Sequence, residues 1–237
     1  MLAGCGASWC TPWCATVPGM AYDGNVRVGG APAVRELGGL ILTKVSVGPM
    51  DNNAYLLRCR ETGEQVLIDA ANDAGTLIDL LGGAPLARVI TTHRHGDHWQ
   101  ALAEVVQRTG AATAAHVDDA PGIKVPTTEP LHDGDEVRVG SCVLTVTHLV
   151  GHTPGSVALC YDEPGRRPHL FTGDSLFPGG VGNTHGSKKD FTRLIDDVEH
   201  RLFDRLPDET WVYPGHGADT TLGAERPHLP EWRARGW

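Results

Sequence analysis

The sequence predicts an α/β fold of short strands alternating with helices. Three observations carry this. Aliphatic and β-branched runs over residues 40–47, 65–70 and 142–147 have strand length and are bounded by turn-forming residues. Phe191, Leu194, Ile195, Val198, Leu202, Phe203 and Leu206 follow the spacing of one buried helical stripe. Four strand-like runs end in a loop bearing His or Asp, most of them bracketed by Gly, so strand ends are expected to converge on one cleft.

With 237 residues, 41% hydrophobic and 21% charged, the chain has the make-up of a soluble globular protein and the length of one α/β domain. A formal charge of −9 argues against a nucleic-acid binder held by a basic face. No apolar stretch approaches the ~20 residues of a membrane span. The expected partner is therefore a small-molecule substrate, with neither nucleic acid nor membrane. Cys5, Cys10 and Cys14 crowd the start of the chain, whereas Cys59, Cys142 and Cys160 lie on strand-like runs and read as small buried hydrophobes. No Cys-x-x-Cys pair occurs, so a thiolate zinc site is not expected, and a reducing cytoplasm is the expected compartment.

Residues 1–19 stand apart. Leu2-Ala3-Gly4-Cys5 resembles a lipoprotein cleavage box, but no charged head or apolar core precedes it. Cys10 and Cys14, beside Trp9 and Trp13, make an incomplete metal or redox patch. The expectation is a disordered leader, or Met20 as the true start, ahead of a single domain over residues 20–237.

Residues 40–47, 53–59 and 65–70 read as a meander with turns at Gly48-Pro49 and at Glu61-Thr62-Gly63-Glu64. Asp69 ends the third strand; it either caps the next segment or accepts a hydrogen bond from a ligand His. Residues 72–81 read as a short helix, 87–91 as a strand, and 99–109 as a helix closed by Gly110. A strand over 111–116, a Pro-rich loop over 117–134 and a hairpin over 136–150 around Gly140 follow. The striped helix opens on a capping box, Ser187 with Asp190, and its charges Asp196, Asp197, Glu199 and Arg201 read as solvated.

The chemistry lies at four strand ends. Thr92-His93-Arg94-His95-Gly96-Asp97-His98 packs four metal-capable side chains into six residues. In an extended segment, side chains at i and i+2 point the same way, so His93 and His95 can reach one ion. Asp97 and His98 lie where the chain turns toward the helix and can face a second. Crowding these groups costs desolvation and mutual repulsion unless a cation collects them. His152 sits in the sharp loop Gly151-His152-Thr153-Pro154-Gly155. Asp174 ends a strand at Gly173-Asp174, and His216 ends another at Pro214-Gly215-His216-Gly217. His116, His132, His148, His169, His200 and His228 read as surface or structural. His185 is the exception to watch, on a Gly-rich loop soon after Asp174.

Seven ligands are too many for one tetrahedral ion but suit two that share a carboxylate. His93, His95 and His152 would hold the first, Asp97, His98 and His216 the second, and Asp174 would bridge. Two such divalent ions bring the pKa of a shared water toward neutrality and polarise a carbonyl. Zinc is expected first; iron and manganese also suit nitrogen and oxygen ligands.

Taken in order, His93-x-His95-x-Asp97-His98, Gly151-His152-Thr153-Pro154-Gly155, Gly173-Asp174 and Pro214-Gly215-His216-Gly217 resemble the motifs of the metallo-β-lactamase superfamily, over about residues 38–229. Within it the chain looks most like the glyoxalase II-like hydrolases. The resemblance implies an αββα sandwich: two mixed β-sheets face to face, helices outside, metals at one edge. It implies Asp69 as the structural acid behind the ligands. It further implies a hydrolase whose bridging hydroxide attacks a thioester or related ester, with Asp97 and Asp174 as catalytic carboxylates. Two features depart from glyoxalase II. The chain runs only about twenty residues past His216, and Gly179-Gly180-Val181-Gly182 leads to Asn183 and Thr184 in place of a basic residue. A glutathione conjugate is therefore not the expected substrate. Two alternatives stay open on the same fold: a mononuclear iron enzyme like the persulfide dioxygenases, and a lactonase or β-lactamase.

Overall fold

Side-chain alternation sets the layers. In the computed structural model, which describes residues 22–236, β1 (Ala33–Glu36), β2 (Leu40–Val47), β3 (Asn52–Cys59) and β4 (Gln65–Ile68) form an antiparallel meander. Leu40, Leu42, Tyr55, Leu57, Val66 and Ile68 face one side, while Val45, Val47, Ala54, Leu56 and Leu67 face the other. That is the two-residue period of a strand. Both faces are buried, so the sheet must be covered on both sides.

Helix α1 (Ala74–Leu80) crosses to β5 (Leu86–Ile90), and α2 (Leu102–Thr109) crosses to β6 (Ala112–His116). With β7 (Glu129–Leu131) these strands add in parallel, completing a seven-stranded sheet in chain order. The second sheet starts with the hairpin β8 (Glu136–Val139) and β9 (Cys142–Leu149), then β10 (Ser156–Tyr161) and β11 (His169–Gly173). A small hairpin, β12 (Leu176–Phe177) and β13 (Gly180–Val181), precedes α3 (Lys188–Val198). Then β14 (Trp211–Pro214) joins β11 in parallel, and β15 (Thr220–Thr221) ends the six-stranded order β15-β14-β11-β10-β9-β8. The chain closes with α4 (Leu222–Glu225) and α5 (Leu229–Arg235).

Inward residues of both sheets, among them Leu57, Ile68, Leu144, Leu159 and Phe171, make the central core. Helices α1 and α2 cover the outer face of the first sheet; α3 and α5 cover that of the second. The fold is the αββα sandwich of two mixed sheets flanked by helices.

Several boundaries differ from expectation. Helix α2 starts at Leu102, not at 99; a tight 3-10 turn, Gly96–His98, comes first, and the backbone N–H groups of Gln100 and Ala101 then donate to Ala71 and Ala70. The striped helix passes into a π-helical turn, Glu199–Phe203, which lets Leu202 and Phe203 both turn inward. The stretch over 117–134 contains the edge strand β7, whose Pro130 loses no ladder bond on the open side. The charges read as solvated on α3 have partners: Asp197 accepts from Val150 N at 2.8 Å, and Arg233 pairs with Asp196 and Glu199. The expected leader lies outside the described residues. Among those described, no helix is long and apolar enough to cross a membrane.

Candidate metal centre

The seven expected ligands come from loops at strand ends. His93, His95, Asp97 and His98 follow β5; His152 lies between β9 and β10; Asp174 follows β11; His216 follows β14. The structure brings all seven together. His93 Nε2 and His95 Nδ1 are 3.1 Å apart, His95 Nδ1 and His152 Nε2 2.9 Å, and His152 Nε2 and His93 Nε2 3.3 Å. Three nitrogens each bound about 2.0–2.1 Å from a tetrahedral ion would stand about 3.4 Å apart, close to this triangle. In the second trio, Asp97 Oδ2 lies 3.5 Å from His98 Nε2 and 3.4 Å from His216 Nε2. Asp174 stands between the trios. Its Oδ1 is 3.3 Å from His98 Nε2, and its Oδ2 is 3.6 Å from both His152 Nε2 and His216 Nε2.

Two atoms test whether cations fit. His98 Nε2 and Asp174 Oδ1 are buried and lack a hydrogen-bond partner. Folded proteins rarely leave buried polar atoms so. A cation between imidazole and carboxylate satisfies both, and this donor set suits divalent metals.

Hydrogen bonds on the far side of each ring set its orientation. His98 Nδ1 donates to Asp69 Oδ2 at 2.8 Å, His152 Nδ1 to Asn183 O at 2.8 Å, and His216 Nδ1 to Met50 O at 2.9 Å. Each proton held outward leaves Nε2 facing the centre as an acceptor. Asp69 also accepts from Thr92 N and Thr92 Oγ1, both at 2.8 Å. Its backbone is left-handed, φ 59°, a conformation that Asp tolerates better than most residues. Gly215 has to lack a side chain, because a Cβ there would strike Asp174 Oδ1 and His98 Cε1.

Burial pushes His93 well below the ordinary imidazole value, helped by the neighbouring His98, His152 and His95; burial likewise lowers His95 and His152. The neighbouring His216, 3.4 Å away, and then the hydrogen bond from Asn52 hold Asp97 below the usual carboxylate range. Burial would raise Asp174, but His98, His216 and His152 hold it low. Neutral imidazole and ionised carboxylate are the forms that bind metal. Burial disfavours a charge on His98, yet Asp69 and Asp174 lift it to about 10, so a proton and a cation compete for its Nε2.

Residues not foreseen from sequence complete the surroundings. Asn52 Nδ2 donates to Asp97 Oδ2 at 2.9 Å. Asn53 and Tyr55 hold the carbonyl of Pro214, and the buried Lys44 holds that of Gly217. The only hint was polarity, Asn52-Asn53 and Lys44, inside otherwise apolar strands. His185 lies beside the set, its ring centroid 6.0 Å from that of His95. His116, Asp118 and His148 also bring one nitrogen or oxygen each within 4.8 Å of one another, with the two rings stacked 3.8 Å apart at 24°. A cleft of about 430 Å³ opens beside His95 and His152, lined by Arg94, Thr184, His185, Ser187 and Arg193.

A sequence model of the metallo-β-lactamase superfamily matches residues 47–216, more than two thirds of the chain. The chain belongs to the metallo-β-lactamase superfamily. Among relatives within that superfamily, hydroxyacylglutathione hydrolase of Polaromonas sp. is 37% identical over 167 residues, covering 70% of this chain and 62% of that protein. The chain thus spans under two thirds of that relative's length. Among solved structures, ETHE1 from Myxococcus xanthus aligns with a TM-score of 0.71 at 29% identity, covering 81% of this chain and 84% of that one. TTHA1623 in a di-iron-bound form aligns with a TM-score of 0.65 at 34% identity, covering 77% and 96%.

Proposed function

We propose that this protein is a metal-dependent hydrolase of a thioester or related ester, working with a dinuclear centre. The observation that carries the reading is the pair of trios sharing Asp174, with His98 Nε2 and Asp174 Oδ1 buried and unpartnered between them. His93, His95 and His152 would hold one divalent ion and Asp97, His98 and His216 the other, with Asp174 between. Zinc is the first candidate; iron and manganese suit the same donors. Such ions supply Lewis acidity and a water acidified toward neutral pH.

The chain's own part is to position and to balance charge. Asp69, Asn183 and Met50 fix three imidazoles, so the donors need little reorganisation. Asp97 and Asp174 keep the negative charge that offsets two cations. Asp97, held by Asn52, faces His98 and His216 and would carry one of the charges of the second site. The substrate enters along the cleft past His95 and His152.

The likeness to a hydroxyacylglutathione hydrolase supports a thioester as the substrate class. The Asn183-Thr184 sequence after the glycine loop argues against a glutathione conjugate in particular. A single-iron oxygenase needs fewer ligands than the seven assembled here. We place the protein in the cytoplasm, as one domain over residues 20–237, with Cys59, Cys142 and Cys160 free. The test is a panel of thioesters, lactones and β-lactams, run on protein of measured metal content before and after chelation. Thioester turnover that falls with metal loss is expected; turnover indifferent to a strong chelator contradicts the proposal.

A further inference from the structure

Asp119 belongs to neither trio, yet it is fully buried, 0% exposed, and its carboxylate spans the two halves of the sandwich beside the first trio. It lies on the turn after β6, where its N–H donates to His116 O at 3.0 Å. Its Oδ2 accepts from Arg94 N at 2.9 Å and from Thr153 Oγ1 at 2.5 Å, and its Oδ1 accepts from Gly155 N at 2.9 Å. Arg94 sits between His93 and His95, on the loop leaving the first sheet. Thr153 and Gly155 flank the turn just after His152, on the loop between two strands of the second sheet. One carboxylate therefore ties both imidazole-bearing loops.

The local sequence is shaped around that carboxylate. A Cβ at Gly155 would come within 2.6 Å of Asp119 N and 2.9 Å of its Cγ, so only glycine seats it. Since Thr153 Oγ1 gives its proton to Asp119, Ser156 Oγ, 2.6 Å away, donates to Thr153 Oγ1. From outside, His148 Nε2 donates to Pro154 O at 2.7 Å while its ring stacks on His116. The pairing of these histidines thus braces the same turn. A second tie, Val157 N to Thr92 O at 2.9 Å, joins the same loops through backbone alone. The second trio is held by Asp69, Asn52 and Met50, none of them through Asp119; Asp69 also reaches the first trio through Thr92 Oγ1, which lies 3.1 Å from His93 Nδ1.

We infer that Asp119 is a positioning residue for the first metal site alone: it sets the distance between the His93–His95 pair and His152, and so governs occupancy of that site without touching the other. This rests on the reading of the trio as a metal site. Three donors converge on the two oxygens of one carboxyl group. An amide in its place would put an N–H against a donor and lose at least one bond.

The test is cobalt(II) titration of metal-free protein, followed by absorption and by competition with a chelator. Wild type is expected to take two ions. Asp119→Asn is expected to weaken one of them by about 10–100-fold, the usual effect of removing a partner behind a ligand, and to leave the other within about twofold. Adding His95→Ala to that variant should then change little, whereas adding His216→Ala should abolish the remaining ion. Thr153→Val should reproduce the selective loss and Thr153→Ser should restore binding, a pair that serves if Asp119→Asn does not fold. Equal weakening of both sites, or unchanged affinity in Asp119→Asn and Thr153→Val, overturns the inference. A wild type that binds no cobalt overturns instead the metal reading on which it rests.

Discussion

Asp69 and Asp174 are both carboxylates at strand ends, but they meet the centre differently. Asp69 stands behind the ligands and acts on His98 directly and on His93 through Thr92. Asp174 reaches His98, His152 and His216 with its two oxygens. Removing Asp69 loosens the orientation of its ligand rings but leaves the donors in place, a loss on the order of 10–100-fold in activity. Removing Asp174 takes away the group common to both trios, so Asp174→Ala should cost at least another tenfold. Initial rates at saturating metal decide this, and equal losses would mean the bridge is misassigned. The ligands themselves were legible because residue type and spacing carry their chemistry locally, as in His93-x-His95-x-Asp97-His98. Asn52, Lys44 and Asp119 were not. Their partners lie far along the chain, Asp97 for Asn52, Asp219 for Lys44 and Thr153 for Asp119, and no local pattern announces such pairs.

Helix α3 shows how an element serves the centre from outside it. Its buried face packs on the second sheet through Phe191, Leu194, Ile195 and Val198. Leu194 also closes the space over Gly151: a Cβ at Gly151 would lie 2.6 Å from Leu194 Cβ. Asp197 holds the N–H of Val150 at 2.8 Å. The helix thus backs the loop that presents His152. Leu194→Ala should destabilise by about 2–5 kcal/mol, the cost of a large-to-small change in a close-packed core. Urea unfolding measures it, and a change under about 1 kcal/mol would show that the helix packs loosely there. The helix was readable from its stripe and capping box. The π-helical turn at its end, where Leu202 and Phe203 are both buried, was not, because no residue pattern marks such a turn. Strand β1 and the edge strand β7 escaped for a related reason: both are short, and they form by pairing with a longer neighbour.

Across the whole molecule, the two sheets bury a titratable group far from the metal centre that links folding to pH. His169 is 1% exposed, with Nδ1 2.9 Å from Tyr213 Oη and Nε2 3.2 Å from Glu163 Oε2. Burial, and then Arg35, pulls it down to about 4 in spite of Glu163. Its folded value lies below the ordinary imidazole value of about 6.5, so the unfolded chain binds the proton more readily. The stability His169 contributes is full above about pH 6.5 and is lost as pH falls toward 4. Urea midpoints across this window should drop in wild type and drop less in His169→Gln; parallel curves would show that other groups set the acid response. The order of strands in the sandwich was not legible from periodicity, which marks strands without saying which of them pair. The motif series supplied the sandwich, through resemblance, but not the order of its strands.

The most direct measurement of the central claim is anomalous scattering from crystals of zinc-loaded protein. Two peaks roughly 3.5 Å apart are predicted, one among His93, His95 and His152 and one among Asp97, His98 and His216, with Asp174 between them. A single peak, or His152 or His216 turned away from the metal, would contradict it.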